Sequence, residues 1–336
     1  MRVSRIRRSA AKESFTIARI AWTIAFALAL AMICCGGTAS ADEQLSQELH
    51  PSQTPSPPAS MVEIRILNHK CRMNGLMYLP AGPDPHPIVI FLHGYPGNER
   101  NLDLAQAVRR AGYAALYFDY RGDFGSNGTF SFVHSLEDAA AVLAWVRDPE
   151  NVLKYHIDPT RIALVGHSLG GWLALLGAEH EPMGVCVAAL AAWNLGWLGA
   201  RAAQTPKERV ETLKYLRAET ESNGGAIRAD ADDLLKEVLV HAGKWDYLSQ
   251  AGALKSRALL LVAAARDTPD EGVDMHGQLA RDVAKAGGTR MRVATFEDDH
   301  AFSSHRIELA DMVVRWLGND CAKAQSGAAN VRDASE

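Results

Sequence analysis

Residues 161–172 read Arg161-Ile162-Ala163-Leu164-Val165-Gly166-His167-Ser168-Leu169-Gly170-Gly171-Trp172. The apolar run Ile162–Val165 is of strand type and stops at Gly166, and an Ala/Leu-rich run of helical type begins at Leu169. Between them a single serine stands flanked by glycines at Gly-x-Ser-x-Gly spacing, the arrangement of a nucleophile elbow. So tight a turn leaves no room for a Cβ at Gly166 or Gly170. The N–H groups that open the following helix face the serine and favour negative charge there. Ser168 is therefore the candidate nucleophile.

A serine hydroxyl needs a base, an orienting acid and oxyanion donors before it attacks at neutral pH. Phe296-Glu297-Asp298-Asp299-His300-Ala301-Phe302 places His300 in a loop after the last strand-like run, so His300 is the candidate base. Leu260 to Asp270 places Asp267 just past another apolar run, where a carboxylate is held rigidly; Asp270, three residues on, is the alternative acid. His93-Gly94-Tyr95-Pro96-Gly97-Asn98 follows the run Pro87–Leu92, and Gly94 lets the backbone approach closely. The backbone N–H groups of Tyr95 and Leu169 are the expected oxyanion donors, with the Tyr95 hydroxyl either assisting or walling the pocket. A metal centre on Asp298, Asp299, His300 and His305 is disfavoured, because adjacent residues rarely point at one ion. No metal or cofactor is expected.

The remaining chain alternates strands and helices. Met61–Leu67 and Met73–Leu79 read as an antiparallel pair joined through Asn68-His69-Lys70. Further strands are expected at Pro87–Leu92, Tyr113–Tyr120, Val185–Ala192, Leu259–Ala264 and Met291–Phe296. Helices are expected at Leu102–Ala111, Leu136–Val146 (N-capped by Ser135), Leu169–Ala178 and His305–Leu317. Repeated βα units call for a mostly parallel sheet with helices on both faces. Residues 193–256 break the rhythm with helical segments (Lys207–Ala218, Asp230–Ala242) and no strand. They read as a helical lid over the carboxyl ends of the strands; an ordinary long crossover is the alternative. Trp172, Trp193, Trp197 and Trp245 read as core or lid packing.

The 336 residues are 48% hydrophobic and 22% charged, with net charge −4, which suits a globular protein and leaves no nucleic-acid footprint. Residues 1–41 combine a basic leader (Arg2 to Arg19), the apolar run Ile20–Ile33 and Ala39-Ser40-Ala41, the pattern of an export signal cleaved after Ala41. An uncleaved anchor is the alternative, although the run falls short of the roughly 20 apolar residues of a membrane span. A periplasmic or secreted protein without stable membrane insertion is expected. Residues 42–60 read as a flexible linker and 319–336 as a disordered tail, which bounds the folded domain at 61–318. Cys186, in an apolar run, reads as a buried thiol, and a Cys71–Cys321 bridge is allowed in an exported protein.

His93-Gly94, Asp119-Tyr120-Arg121-Gly122 with Gly125-Ser126-x-Gly128, the Gly166–Gly171 elbow, the late Asp267 and Asp299-His300-Ala301-Phe302 together resemble the α/β-hydrolase superfamily over residues 61–318. The chain order Ser…Asp…His is the one typical of that fold. The similarity is greatest to the prolyl-oligopeptidase-like and dienelactone-hydrolase-like esterase branch. It implies a serine hydrolase acting on small esters or short peptide-like substrates. The elbow is Gly-His-Ser-Leu-Gly-Gly rather than the Gly-x-Ser-Tyr-Gly-Gly common in prolyl peptidases, and no propeller segment is read ahead of it. Both departures favour carboxylic esters; an exopeptidase or amidase is the alternative, and a non-catalytic binding module a third reading.

Overall fold

The computed structural model describes residues 57–333 apart from 83–84, 182–183, 223 and 268–272. The expected signal segment, most of the linker and Asp270 lie outside the described residues. The strands are β1 (Ser60–Asn68), β2 (Cys71–Leu79), β3 (His86–Leu92), β4 (Ala114–Phe118), β5 (Ile157–His167), β6 (Cys186–Leu190), β7 (Leu259–Ala264) and β8 (Met291–Phe296). The helices are α1 (Leu102–Arg110), α2 (Phe132–Arg147), α3 (Pro149–Tyr155), α4 (Leu169–Gly177), α5 (Leu195–Gln204), α6 (Pro206–Ser222), α7 (Ala231–Trp245), α8 (Ala251–Leu254), α9 (Val273–Lys285), α10 (Arg306–Trp316) and α11 (Ala322–Asp333).

The strands form one sheet in the order β1-β2-β4-β3-β5-β6-β7-β8. Pairing is antiparallel for β1 with β2 and β2 with β4, and parallel from β4 to β8. Strands β4, β6 and β7 are buried along their whole length, and β5 from Ile162 onward, because helices cover both faces. On β3, Ile88, Ile90 and Leu92 enter one core, while Val89 and Phe91 enter the other. The first core takes Trp172 and Leu173 of α4 and Val142 of α2; the second takes Leu104 and Val108 of α1 and Val313 and Trp316 of α10. The β1–β2 connection is a two-residue turn in which His69 and Lys70 both have positive φ (47° and 64°), matching the twist of the flanking strands.

Helices α5 to α7 lie between β6 and β7 and reach the loops that follow β3 and β4. Phe124 N–H donates to Ala226 O (3.0 Å), Phe130 N–H to Arg228 O (2.8 Å) and Arg228 N–H to Gly122 O (2.8 Å). Residues 226–228 of the insertion are thus bonded to the loop that follows β4. Glu237 of the insertion accepts from the Phe132 and Val133 N–H groups, satisfying donors at the start of α2.

That contact explains one difference from the sequence reading. Helix α2 begins at Phe132, and its N-cap is Ser131, whose hydroxyl accepts from His134 N–H, rather than Ser135. Ser135 is buried inside the helix and donates to Phe132 O.

The C-terminal stretch also differs from expectation. From residue 319 to 333 the chain is helical rather than a frayed tail: a π-helical turn (Leu317–Cys321) leads into α11. Cys321 is buried in a disulfide with Cys186 (Cα–Cα 5.7 Å), and Gln325 Nε2 donates to Ile162 O. Cys186 is therefore not a free thiol, and among the described residues Cys71 is the cysteine left unpaired. Cys71 lies on β2, four strand spacings from β6 and hence about 19 Å away, out of reach of a bridge there.

The bridge spans 135 residues, so opening it restores a large unfolded-state entropy. Cys186→Ser is expected to destabilise the protein by about 2–4 kcal/mol. Melting curves with and without reductant check this: reductant should lower the Tm of the wild type and leave that of Cys186→Ser unmoved.

Candidate active site

Ser168 joins β5 to α4 with φ 56° and ψ −118°, a conformation an L-residue rarely adopts. Its surroundings leave no alternative. A Cβ on Gly166 would lie 1.9 Å from Gly170 O, and one on Gly170 would lie 1.9 Å from Leu92 O. Ser168 N–H donates to Leu190 O (2.9 Å), and Ser168 O accepts from Trp193 N–H and Gly171 N–H (3.0 Å each). The end of β6 therefore grips both sides of the strained residue. The turn after β6 is braced in its own right, since Ala192 N–H donates to Nε2 of the buried His276 (3.2 Å). Burial lowers the pKa of His276 to about 4, keeping Nε2 available as an acceptor.

His300 follows β8, and its Nδ1–H donates to Asp267 Oδ2 at 2.6 Å. Asp267 follows β7, and its side chain is nearly buried. The hydrogen bond leaves Nε2 of His300 as the acceptor nitrogen.

The two loops that carry this pair are tied together by Asp298, a residue the sequence reading considered only as a metal ligand. Its fully buried carboxylate accepts from Arg266 Nη2 (3.1 Å), Asp299 N–H (2.9 Å), Ser304 N–H (2.8 Å) and His305 Nδ1 (2.8 Å). Arg266 N–H also donates to Asp298 O (3.0 Å), so the hub fixes the residue before Asp267 and the residues around His300 at once. Burial acts to raise the Asp298 pKa, but His305 and the two N–H groups outweigh it and hold the carboxyl well below the usual carboxylate range. The only sequence signal for this role was an acid two residues before the candidate base.

The loop after β3 lies against the candidate nucleophile: a Cβ on Gly94 would sit 3.1 Å from Ser168 Cβ. Leu169 opens α4, so its N–H has no carbonyl one turn back to bind. Gly94 thus lies beside the serine, with Tyr95 next in the chain, and Leu169 follows the serine at the start of α4. The Tyr95 hydroxyl does not assist there; it bonds Thr220 Oγ1 (2.5 Å) and Leu216 O (3.3 Å) of α6, and its ring stacks on Phe130 and Trp193. Burial raises its pKa to about 12. His93 is fully buried, with Nδ1–H donating to Gly94 O (2.8 Å) and Tyr120 O–H donating to His93 O (3.0 Å). Burial lowers its pKa to about 3, and burial raises that of Asp123, 3.6 Å away, to about 8. Arg121 of the Asp-Tyr-Arg-Gly stretch is structural: it binds Asp138 and Glu137 of α2 at 2.6 Å each.

Trp172, Trp193 and Trp245 are buried packing residues, and Trp172 Nε1 donates to Trp245 O (2.8 Å). Among the described residues no cluster of three or more His, Cys, Asp or Glu is arranged to hold a metal ion, and no helix is long and apolar enough to cross a membrane.

A serine on a strand-to-helix elbow, above a mostly parallel sheet covered on both faces, defines an α/β-hydrolase of the serine-hydrolase class. The chain belongs to the X-Pro dipeptidyl-peptidase (S15) family, whose model matches residues 70–253. An uncharacterized 31.7 kDa protein of Escherichia coli is 32% identical over 155 residues, 44% of this chain and 52% of its own length. The chain thus spans about half the length of that curated relative. Among solved structures, a Pyrococcus furiosus esterase shares the fold with TM-score 0.58 and 18% identity over 78% of this chain and 92% of its own. A Pyrococcus horikoshii acylaminoacyl peptidase does so with TM-score 0.57 and 16% identity over 79% of this chain and 42% of its own.

The Asp298 hub has a defined pH signature. A folded-state pKa below the unfolded value of about 3.9 means stability that is fully present above that pH and is lost as pH falls through the folded pKa. The Tm gap between wild type and Asp298→Asn should be constant from pH 5 to 7 and shrink below about pH 4. A gap independent of pH would contradict the assignment.

Proposed function

We propose that this protein hydrolyses carboxylic esters through an acyl-enzyme intermediate. Ser168 Oγ attacks the ester carbonyl while His300 Nε2 takes its proton. His300 then returns that proton to the departing alcohol oxygen as the C–O bond breaks. A water, deprotonated by the same nitrogen, attacks the acyl-enzyme and releases the acid and Ser168. Asp267 holds the His300 tautomer and stabilises the imidazolium, and the Tyr95 and Leu169 N–H groups receive the oxyanion. The observation that carries this reading is the 2.6 Å bond from His300 to Asp267 in loops that converge with the Ser168 elbow on the carboxyl side of one sheet. Membership of the X-Pro dipeptidyl-peptidase family favours a second reading, cleavage after proline in short peptides.

Export is proposed as well. The basic-apolar-small leader ending at Ala41 supports it, and so does a disulfide of a kind that persists in oxidising compartments.

The discriminating experiment is turnover of p-nitrophenyl esters of rising acyl length against aminoacyl-proline anilides. Ester turnover alone supports the first reading; anilide turnover moves the protein to the second. Ser168→Ala should lower kcat by roughly 10⁴–10⁶-fold with the Tm nearly unchanged. Asp267→Asn should cost roughly 10⁴-fold and Asp270→Asn little; the reverse order would make Asp270 the acid.

Sequencing the N-terminus of protein recovered outside the cytoplasm should give Asp42 as the first residue. Retention of residues 1–41 would indicate an anchor.

A further inference from the structure

His167 precedes the nucleophile on β5 and is buried, with its ring centroid 4.7 Å from that of His300. Its Nε2 lies 2.8 Å from the main-chain oxygen of His300. A carbonyl oxygen only accepts, so Nε2 carries the hydrogen and donates it. Burial lowers the pKa of this imidazole to about 3, with repulsion from His300 a further cause. The ring is therefore neutral, holds one N–H, and commits it to His300 O. Its other nitrogen, Nδ1, is buried with no hydrogen-bond partner among the described residues and lies 3.5 Å from where a Cβ on Gly94 would sit. The ring thus stands between the loop after β3 and the loop that carries His300.

His300 sits in a turn outside any strand ladder. Asp298 holds that turn ahead of His300 and again at Ser304 and His305, while Asp267 holds the imidazole itself. The main-chain oxygen of His300 is secured by neither. We propose that His167 is a positioning residue: its Nε2–H holds the backbone of His300, so that the residue beside the nucleophile sets the distance between Ser168 and the base. Because the strut belongs to β5 itself, nucleophile and base are referenced to the same strand rather than to two independently moving loops. A neutral donor suits this place, since a second charge 4.7 Å from His300 would oppose formation of the imidazolium. The role rests on the assignment of Ser168 and His300 given above, and displacing a reacting group by about 1 Å is enough to cost roughly 10²-fold in rate.

The test compares His167→Gln, which keeps an N–H donor at the reach of Nε2, with His167→Met, of similar length and no donor, and His167→Asn, whose amide is too short. Each full-length variant is assayed on the best ester of the panel, with Ser168→Ala alongside and melting curves for all. Expected are a kcat for His167→Gln within about fivefold of wild type, a loss of about 10–100-fold for His167→Met and His167→Asn, and KM within about threefold throughout. Folded Met and Asn variants as fast as wild type would overturn the proposal, and so would a folded Gln variant as slow as either of them. If His167→Met does not fold, the Gln–Asn pair decides on the same criteria. Failure of the underlying assignment looks different: Ser168→Ala would then keep its turnover.

Discussion

One residue held where its backbone does not rest by choice governs this molecule. Ser168, at φ 56° and ψ −118°, stores strain of about 1–3 kcal/mol that persists only where its surroundings over-determine it. Glycines clear the space on either side, and hydrogen bonds from the end of β6 hold both its N–H and its carbonyl. The strand order makes this possible. With β5 in the middle of the sheet, between β3 and β6, the loop after β3 presses on the serine from one side and the turn after β6 braces it from the other.

The polar groups around the elbow divide by how they are satisfied. Three histidines (His93, His167 and His276) are buried, have strongly lowered pKa values, and act as neutral struts, each with one hydrogen bond to the main chain. His300 is partly exposed and paired with the Asp267 carboxylate. Asp298 is the converse of the struts: a buried carboxylate stays ionised because four donors surround it. In the proposed reaction the charge that forms is confined to the His300–Asp267 pair, and neighbouring polar groups serve geometry.

The helical insertion is joined to the sheet domain at the same edge. The Tyr95 side chain reaches α6, Glu237 of α7 closes the start of α2, and main-chain bonds tie residues 226–228 to the loop after β4. Tyr95 consequently lies in both the loop beside Ser168 and the packing of the insertion. At the other end of the sheet, the Cys186–Cys321 bridge secures the C-terminal helix to the start of β6.

Periodicity and turn chemistry are local properties of the chain, and whatever they control was legible in the sequence. Uninterrupted apolar runs marked β3, β6 and β7, the mixed run Met291–Phe296 also fell where expected, and the glycines around Ser168 marked the elbow because only a side-chain-free residue fits there. The positions of Asp267 and His300 at strand ends followed from the same pattern. What depended on residues distant in sequence was not legible. The partner of Cys321 was decided by which strand lies beside the C-terminal helix, the start of α2 by a glutamate about 105 residues away, and the order of the polar tail by a covalent bond and one glutamine. The work of Asp298, His167 and the Tyr95 hydroxyl was likewise set by tertiary structure, since a hydrogen bond's partner is chosen by three-dimensional proximity and leaves no periodic trace in the chain.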